Sequence, residues 1–317
     1  MKRMFRSFVR PYVGLFWGLV LSGIAARADG QERGKLNTVR IEEITGAKGT
    51  MFADEGVFKV TFPRTDVPIK VDGRTMEPFL GFTSWAAFKP GVAAECMVMG
   101  DVVLFEDEVS AVMDACLESG VAVTALHNHF FFDEPNVYFM HLGREGTVDQ
   151  LAGGVKKALD TVKGIRSKAP LPAKAFGLAS VPTKNAITAQ TIDDILNVKG
   201  NAKDGMYKAV IARTVKMACG CEVTKEMGVN TWAALGGNDD AALVDGDFAV
   251  LEEELQLVLK ALRKSGIHVV AIHHHMVGES PRMLFLHYWG VGKAVDLARG
   301  VKSALAAQAS VGKGGSP

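Results

Sequence analysis

The spacing of apolar residues predicts the same helices twice along the chain. After Gly100-Asp101, apolar residues recur at three- and four-residue intervals until Gly120, and the same pattern follows Gly246-Asp247 until Gly266. This spacing forms one face of a helix, and glycine commonly follows a helix end. A last helix in each half shows the same periodicity. The apolar positions are Val109, Val112, Met113, Cys116, Leu255, Val258, Leu259 and Leu262 in the first pair of helices, and Val148, Leu151, Val155, Leu159, Ala294, Leu297, Val301 and Leu305 in the last pair.

Strands are predicted between these helices. Residues 121–126 and 267–272 read as strands, and each is followed by a proline-containing loop and a second strand ending at His141 or His287. Alternation over residues 57–62 and 206–211 predicts further N-terminal strands. The resulting αββα order with antiparallel strands predicts the α+β class, and a ferredoxin-like topology is one specific arrangement consistent with it.

The chain is predicted to be an internal duplication. A shift of 146 residues aligns 100–141 with 246–287 without a gap, and fifteen of these 42 positions are identical. Average residue usage predicts about one match in fifteen. We therefore expect a first repeat over 38–160, a linker over 161–190, a second repeat over 191–307 and a disordered tail over 308–317. The repeats are expected to form a pseudo-twofold pair that packs through one face of the sheets.

The charge distribution suggests export and argues against nucleic acid as a partner. Lys and Arg number 36 against 35 Asp and Glu, with no later basic stripe to match a phosphate backbone. Residues 1–28 hold five bases and no acid. Within this segment, a basic start is followed by an apolar run and then by Ala26-Arg27-Ala28. This pattern is typical of a cleavable signal peptide. We expect a periplasmic or secreted protein with no stable membrane span after cleavage, and the alternative is an uncleaved N-terminal anchor.

The histidines predict a duplicated metal site. All eight histidines lie within residues 127–141 and 268–287, and six of them repeat at offsets of 0, +2 and +14. Residues i and i+2 of a strand share a face, and an antiparallel return strand would bring the third histidine beside them. Converging neutral imidazoles suit a divalent transition metal, most simply zinc. The alternative is that they only fill polar positions at strand ends. The predicted ligands are His127, His129, His141, His273, His275 and His287.

Carboxylates near the histidines suggest a supporting role. Asp133 aligns with Glu279, and Glu134 is adjacent. Each could complete a coordination shell, orient a ligand histidine, or act as general base on metal-bound water.

A second set of acids also repeats in both copies. Asp101 and Asp247 are assigned to helix capping, and Glu108 and Glu254 to the first helical turn.

The motifs resemble a known family. The combination G-D-x-x-[LV]-x-x-x-E, G-[VI]-x-V-x-A-[LI]-H-x-H and P-x-x-x-F-x-H, present twice, is similar to the bacterial LppY/LpqO family. The resemblance implies an exported protein with a domain of unknown function, and it supplies no activity. The residues favour an exported metal-binding protein whose small-molecule or cell-envelope ligand is unknown, and the alternative is a zinc-dependent hydrolase of the cell envelope.

Overall fold

A computed structural model describes residues 35–311. The predicted signal peptide and residues 312–317 of the predicted tail lie outside these residues. The first copy contains α1 (Thr38–Thr45), β1 (Gly49–Phe52), β2 (Val57–Pro63), β3 (Ile69–Val71), β4 (Arg74–Met76), β5 (Thr83–Pro90), β6 (Cys96–Phe105), α2 (Glu106–Ser119), β7 (Ala122–His127), β8 (Asp133–Glu134), β9 (Val137–Gly146) and α3 (Val148–Lys168). The second copy contains α4 (Ala189–Leu196), β10 (Asn201–Lys203), β11 (Met206–Ala212), β12 (Val215–Met217), β13 (Glu222–Val223), β14 (Asn230–Gly237), β15 (Ala242–Leu251), α5 (Glu252–Lys264), β16 (His268–His273), β17 (Glu279–Ser280), β18 (Met283–Gly292) and α6 (Ala294–Val311).

The two copies share one antiparallel sheet of twelve strands, in the order β1-β2-β5-β6-β9-β7-β16-β18-β15-β14-β11-β10. Each strand of the first copy and its equivalent in the second copy occupy matching places counted from the two ends of the sheet. The copies are therefore related by a pseudo-twofold axis between β7 and β16. These two strands pair at Leu126 and Ile272. The α+β class and the duplication are confirmed. The expected packing through sheet faces is wrong, because the copies join edge to edge.

Alternation along the strands separates two faces of the sheet. Val102 and Leu104 belong to the core shared with the helices, whereas Val103 and Phe105 belong to a smaller core with residues of β3. This division follows from the two-residue period of a strand. The helices thus cover one face of the sheet. Small three-stranded sheets, β4-β3-β8 and β13-β12-β17, pack against the other, which we call the site face.

The capping of α2 and α5 differs from the sequence-based assignment in one respect. Glu108 is the third residue of α2, and its carboxylate accepts a 2.8 Å hydrogen bond from the Phe105 N–H, as Glu254 does from Leu251. The first-turn role of both glutamates is confirmed. The capping role of Asp101 and Asp247 is wrong, because both lie within strands and each helix begins five residues later.

Several elements extend further than their sequence patterns predicted. Strands β9 and β18 continue past His141 and His287, because each pairs along its whole length with β6 or β15. Helix α3 continues into the expected linker as far as Lys168. Helix α6 includes residues 308–311, so the expected tail over 308–317 starts too early. Gln308 is buried there and donates a 2.8 Å hydrogen bond to the Ala249 carbonyl.

Side chains also join the copies beside the β7–β16 pair. The Gln256 amide accepts from the Val123 N–H at 3.1 Å and donates to its carbonyl at 2.7 Å. Arg263 binds both carboxylate oxygens of Asp114 at 2.8 and 2.9 Å. Among residues 35–311, no helix is long and apolar enough to cross a membrane.

Candidate metal centre

The first histidine cluster forms where β7 and β9 bring distant residues together. His141 lies on β9 directly opposite Asp101 of β6, and the His141 Nε2 is 3.0 Å from the Nε2 of His127 at the end of β7. His129 follows β7, with its ring centre 5.1 Å from that of His127. The His129 ring stacks on Phe139 at 3.3 Å, which fixes its plane. All three predicted histidines of the first copy therefore meet on the site face.

The second histidine cluster repeats this arrangement. The rings of His273 and His287 are 4.6 Å apart, and those of His273 and His275 are 5.1 Å apart. His275 stacks on Phe285 at 3.5 Å, as His129 does on Phe139. One ligand atom each from Asp247, His273 and His287 lies within 4.8 Å of the other two.

An aspartate at the base of each cluster is the residue that sequence reasoning missed. Asp247 lies opposite His287 on the neighbouring strand, and its Oδ2 is 3.2 Å from the His275 Nε2. Asp101 occupies the equivalent position in the first copy. Both aspartates are buried. The sequence marks both residues by repeating Gly100-Asp101 as Gly246-Asp247, but the repeat alone does not show that they join the histidines.

The buried polar atoms of the clusters lack partners. Oδ1 of Asp101, Oδ1 of Asp247 and Nε2 of His273 are buried, and none of these atoms has a hydrogen-bond partner among the described residues. A buried polar atom without a partner costs about 1–3 kcal/mol, so such atoms are uncommon unless something else binds them. In the second copy, Asp247, His273 and His287 each place a ligand atom within 4.8 Å of the other two, and these positions fit a cation held between the carboxylate and the imidazoles.

The electrostatics favour the neutral imidazole at one histidine of each cluster, His129 and His273. Burial raises the pKa of Asp101, and the charges of His141, His129 and His127 oppose that rise. Burial lowers the pKa of His129, and so does the charge of nearby His127. The pKa of His273 is likewise lowered by burial and then by the charge of His287. Neutral imidazole is the form that binds a metal ion.

The carboxylates suggested as general bases have other partners. Asp133 Oδ2 accepts a 2.6 Å hydrogen bond from the Val137 N–H, and Glu279 Oε1 accepts one of 3.1 Å from Met283 N–H. Each of these two carboxylates therefore stabilises the loop before the return strand. Glu134 is exposed on β8. Among the described residues, no hydrogen bond or ion pair joins any of the three to a clustered histidine.

The two clusters share a tryptophan on the neighbouring strand, but their other surroundings differ. Trp85 and Trp232 lie opposite the two aspartates on the next strands, and each carries a lysine Nζ over its ring, at 4.4 Å for Lys59 and 4.1 Å for Lys208. In the second copy a cavity of about 410 Å³ opens beside Asp247, His275 and Trp232.

In the first copy, Phe130 stacks on Phe82 at 5.0 Å. That copy therefore presents a more apolar wall than the second.

Comparisons with known proteins give a family and little else. The family model described as Domain of Unknown Function (DUF1259) matches residues 39–161 and again residues 190–307. No curated protein matches the chain. The crystal structure of EtuB from Clostridium kluyveri is 10% identical over 85% of this chain and 93% of that chain, with a TM-score of 0.21. The double ringed trimeric shell protein MSM0271 from the RMM microcompartment is 12% identical over 68% and 83%, with a TM-score of 0.17.

Proposed function

We propose that each copy of the domain in this chain binds one divalent transition-metal ion, most simply zinc. The chain belongs to the family described as Domain of Unknown Function (DUF1259) and carries that domain twice. The observation that carries this proposal is the pairing of three converging imidazoles with a buried aspartate that has an unpartnered oxygen. Each cluster draws its residues from one copy, so we expect two ions per chain. The proposed ligands are Asp101, His127, His129 and His141, and Asp247, His273, His275 and His287.

The donor set favours metal binding over hydrolysis. In the second copy Asp247, His273 and His287 converge, and we propose His275 as the fourth donor because its Nε2 lies 3.2 Å from the Asp247 Oδ2. Four protein donors complete the tetrahedral shell of a zinc ion, whereas catalytic zinc sites keep one position for water. The carboxylates suggested as general bases are engaged elsewhere or exposed. We therefore propose a binding protein, and the envelope hydrolase of the sequence analysis has no separate observation in its favour.

Metal analysis of the untagged mature protein tests this proposal. We expect about two equivalents of zinc per chain, with occupancy falling as the pH drops below about 6.5, the unperturbed pKa of imidazole, because protonated imidazole cannot bind. His127→Ala with His129→Ala should leave one equivalent, and so should His273→Ala with His275→Ala. Asp101→Asn and Asp247→Asn should each weaken binding in their own copy.

His274→Ala provides a matched control. His274 lies between two proposed ligands in the sequence, but its Nε2 faces Arg282 at 3.1 Å. The variant should retain two equivalents, which separates the clusters from general histidine binding at the surface. The proposal fails if zinc, copper, nickel, iron and manganese are all near zero and added metal does not change thermal stability.

We also propose a topology for each copy and a location for the protein. The topology is a ferredoxin-like core, supported by the position of β9 between β6 and β7 in the sheet and by α2, which connects β6 to β7. The resemblance to the LppY/LpqO family supports export, together with the N-terminal pattern of residues 1–28. Fractionation of the native host should recover a mature chain starting near Asp29 outside the cytoplasm. An intact Met1 in the soluble cytosolic fraction would contradict export.

A further inference from the structure

We propose that a binding site for a small aromatic ligand lies between the two copies, on one side of the pseudo-twofold axis only. A cavity of about 500 Å³ opens there between α2, the strands β16 and β18, and the segment 173–178 that connects the copies. We call it the boundary pocket. Its volume falls within the range of ligand sites, about 300–1,000 Å³. None of its lining residues belongs to either histidine cluster, so this proposal is independent of metal binding.

The pocket exists because the copies differ at its centre. On the opposite side of the axis, Gln256 reaches the backbone of Val123 and fills the space between the copies. The residue equivalent to Gln256 in α2 is Ser110, whose side chain is too short to do the same. The space that the glutamine amide occupies on one side is therefore open on the other.

A second difference supplies the wall of the pocket. His268 and Trp289 face each other across β16 and β18, whereas the equivalent pair in the first copy is Ala122 opposite Gly143. The ring centres of His268 and Trp289 are 5.4 Å apart, and Phe176 of the connecting segment covers His268 at 4.4 Å. Ala122 and Gly143 carry no rings, so within residues 35–311 this aromatic cluster has no counterpart at the equivalent position of the first copy.

The chemistry of the lining indicates the ligand class. Aromatic rings favour stacking or edge contact with another ring, and the cluster offers three. The central polar group is the Ser110–His268 pair, with Oγ 2.8 Å from Nδ1. His268 Nε2 has no hydrogen-bond partner among the described residues. The expected ligand is therefore a flat, one- or two-ring aromatic molecule with one hydroxyl or ring N–H that can bond to this imidazole.

The Ser110–His268 pair serves binding and not acyl transfer. Ser110 lies inside α2, where the neighbouring backbone N–H groups donate within the helix. The N–H groups of Ser110 and of Val109 beside it are therefore not free to stabilise an oxyanion.

Titration of the full mature protein with indole and with 2-naphthol, followed by ligand-observed NMR, tests the proposal. We expect saturable binding of at least one probe. Ser110→Gln gives α2 the residue that fills the opposite side, and His268→Ala gives β16 the residue of the first copy. Each change should weaken probe binding about tenfold or more. Phe79→Ala removes a fully exposed ring elsewhere and should leave binding unchanged, which controls for adsorption to the surface.

Thermal melting and metal content of each variant establish that the fold and the histidine clusters persist. If Ser110→Gln does not fold, His268→Ala carries the comparison. The proposal is overturned if neither probe binds saturably to the wild-type protein, or if a folded variant of the pocket binds the probes as the wild type does.

Discussion

Removing the buried charge of Glu108 should destabilise the protein far more than the same change in the other copy. The Glu108 side chain has no exposed surface, and its two oxygens lie 2.6 and 2.7 Å from the guanidinium nitrogens of Arg64. Arg166 Nε is 2.9 Å from the same carboxylate, and both arginines are about 95% buried, with exposures of 4% and 5%. Glu108→Gln keeps the shape of the side chain but removes the negative charge that the two buried guanidinium groups share.

The magnitude follows from this burial. Breaking a buried ion pair by removing one partner costs about 3–5 kcal/mol, and we expect the lower end because Asp66 and Asp107 still contact the two arginines. For a protein of this size, each kcal/mol lowers the melting temperature by about 2 °C, so the expected loss is about 6 °C or more. Glu254 faces a single arginine, Arg213, at 3.1 Å, and that side chain is 22% exposed.

Glu254→Gln is therefore the matched control. It should cost about 1.5 kcal/mol, the lower end of the range for a hydrogen bond to a charged group, because Arg213 is partly exposed. Thermal unfolding of the two metal-free variants, followed by circular dichroism at neutral pH, measures the difference. If Glu108→Gln lowers the melting temperature no more than Glu254→Gln does, the argument from buried charge is refuted.

Two further predictions concern the thiols and the glycines of the site strands. In the reduced native protein, a thiol reagent should modify Cys219 and Cys221 rapidly, because both are exposed, and should reach all four cysteines only after denaturation. Burial raises the pKa of Cys96 to about 11 and that of Cys116 to about 12, which keeps both thiols protonated, and rapid modification of either would contradict this. Gly246→Ala should lower the melting temperature more than Gly100→Ala, because a Cβ at Gly246 would lie 2.2 Å from the Tyr288 ring and 2.5 Å from the Trp232 carbonyl oxygen, against a nearest approach of 2.9 Å at Gly100. Equal losses would show that the Tyr288 ring moves aside freely.

Features set by nearby residues could be predicted from the sequence. Helices α2 and α5 were expected because their apolar faces repeat over a few turns and end at glycine, and Gly120 does adopt the left-handed conformation. The meeting of His127, His129 and His141 was also expected, because one strand and its return strand bring them together.

Features set by distant pairing could not be predicted in the same way. Asp101 joins its cluster through the pairing of β6 with β9, forty residues later in the chain, and a local pattern assigns such an aspartate to a cap. The edge-to-edge joining depends on Leu126 meeting Ile272. Both are buried residues of apolar strands, and their apolar pattern does not indicate that these two strands pair with each other.

Covalent fusion of the copies has a consequence for how the molecule can change. In a dimer of two identical chains, any substitution near the axis would occur on both sides, so a bulky residue that benefits one side must also be tolerated on the other. Here the seam between β7 and β16 lies within a single chain, and each side has its own codon. Trp289 could thus be acquired while Gly143 stayed small, and Gln256 could keep bridging the seam while Ser110 left room. A duplicated scaffold of this kind can retain two equivalent centres and still develop an unmatched third one at its own midline.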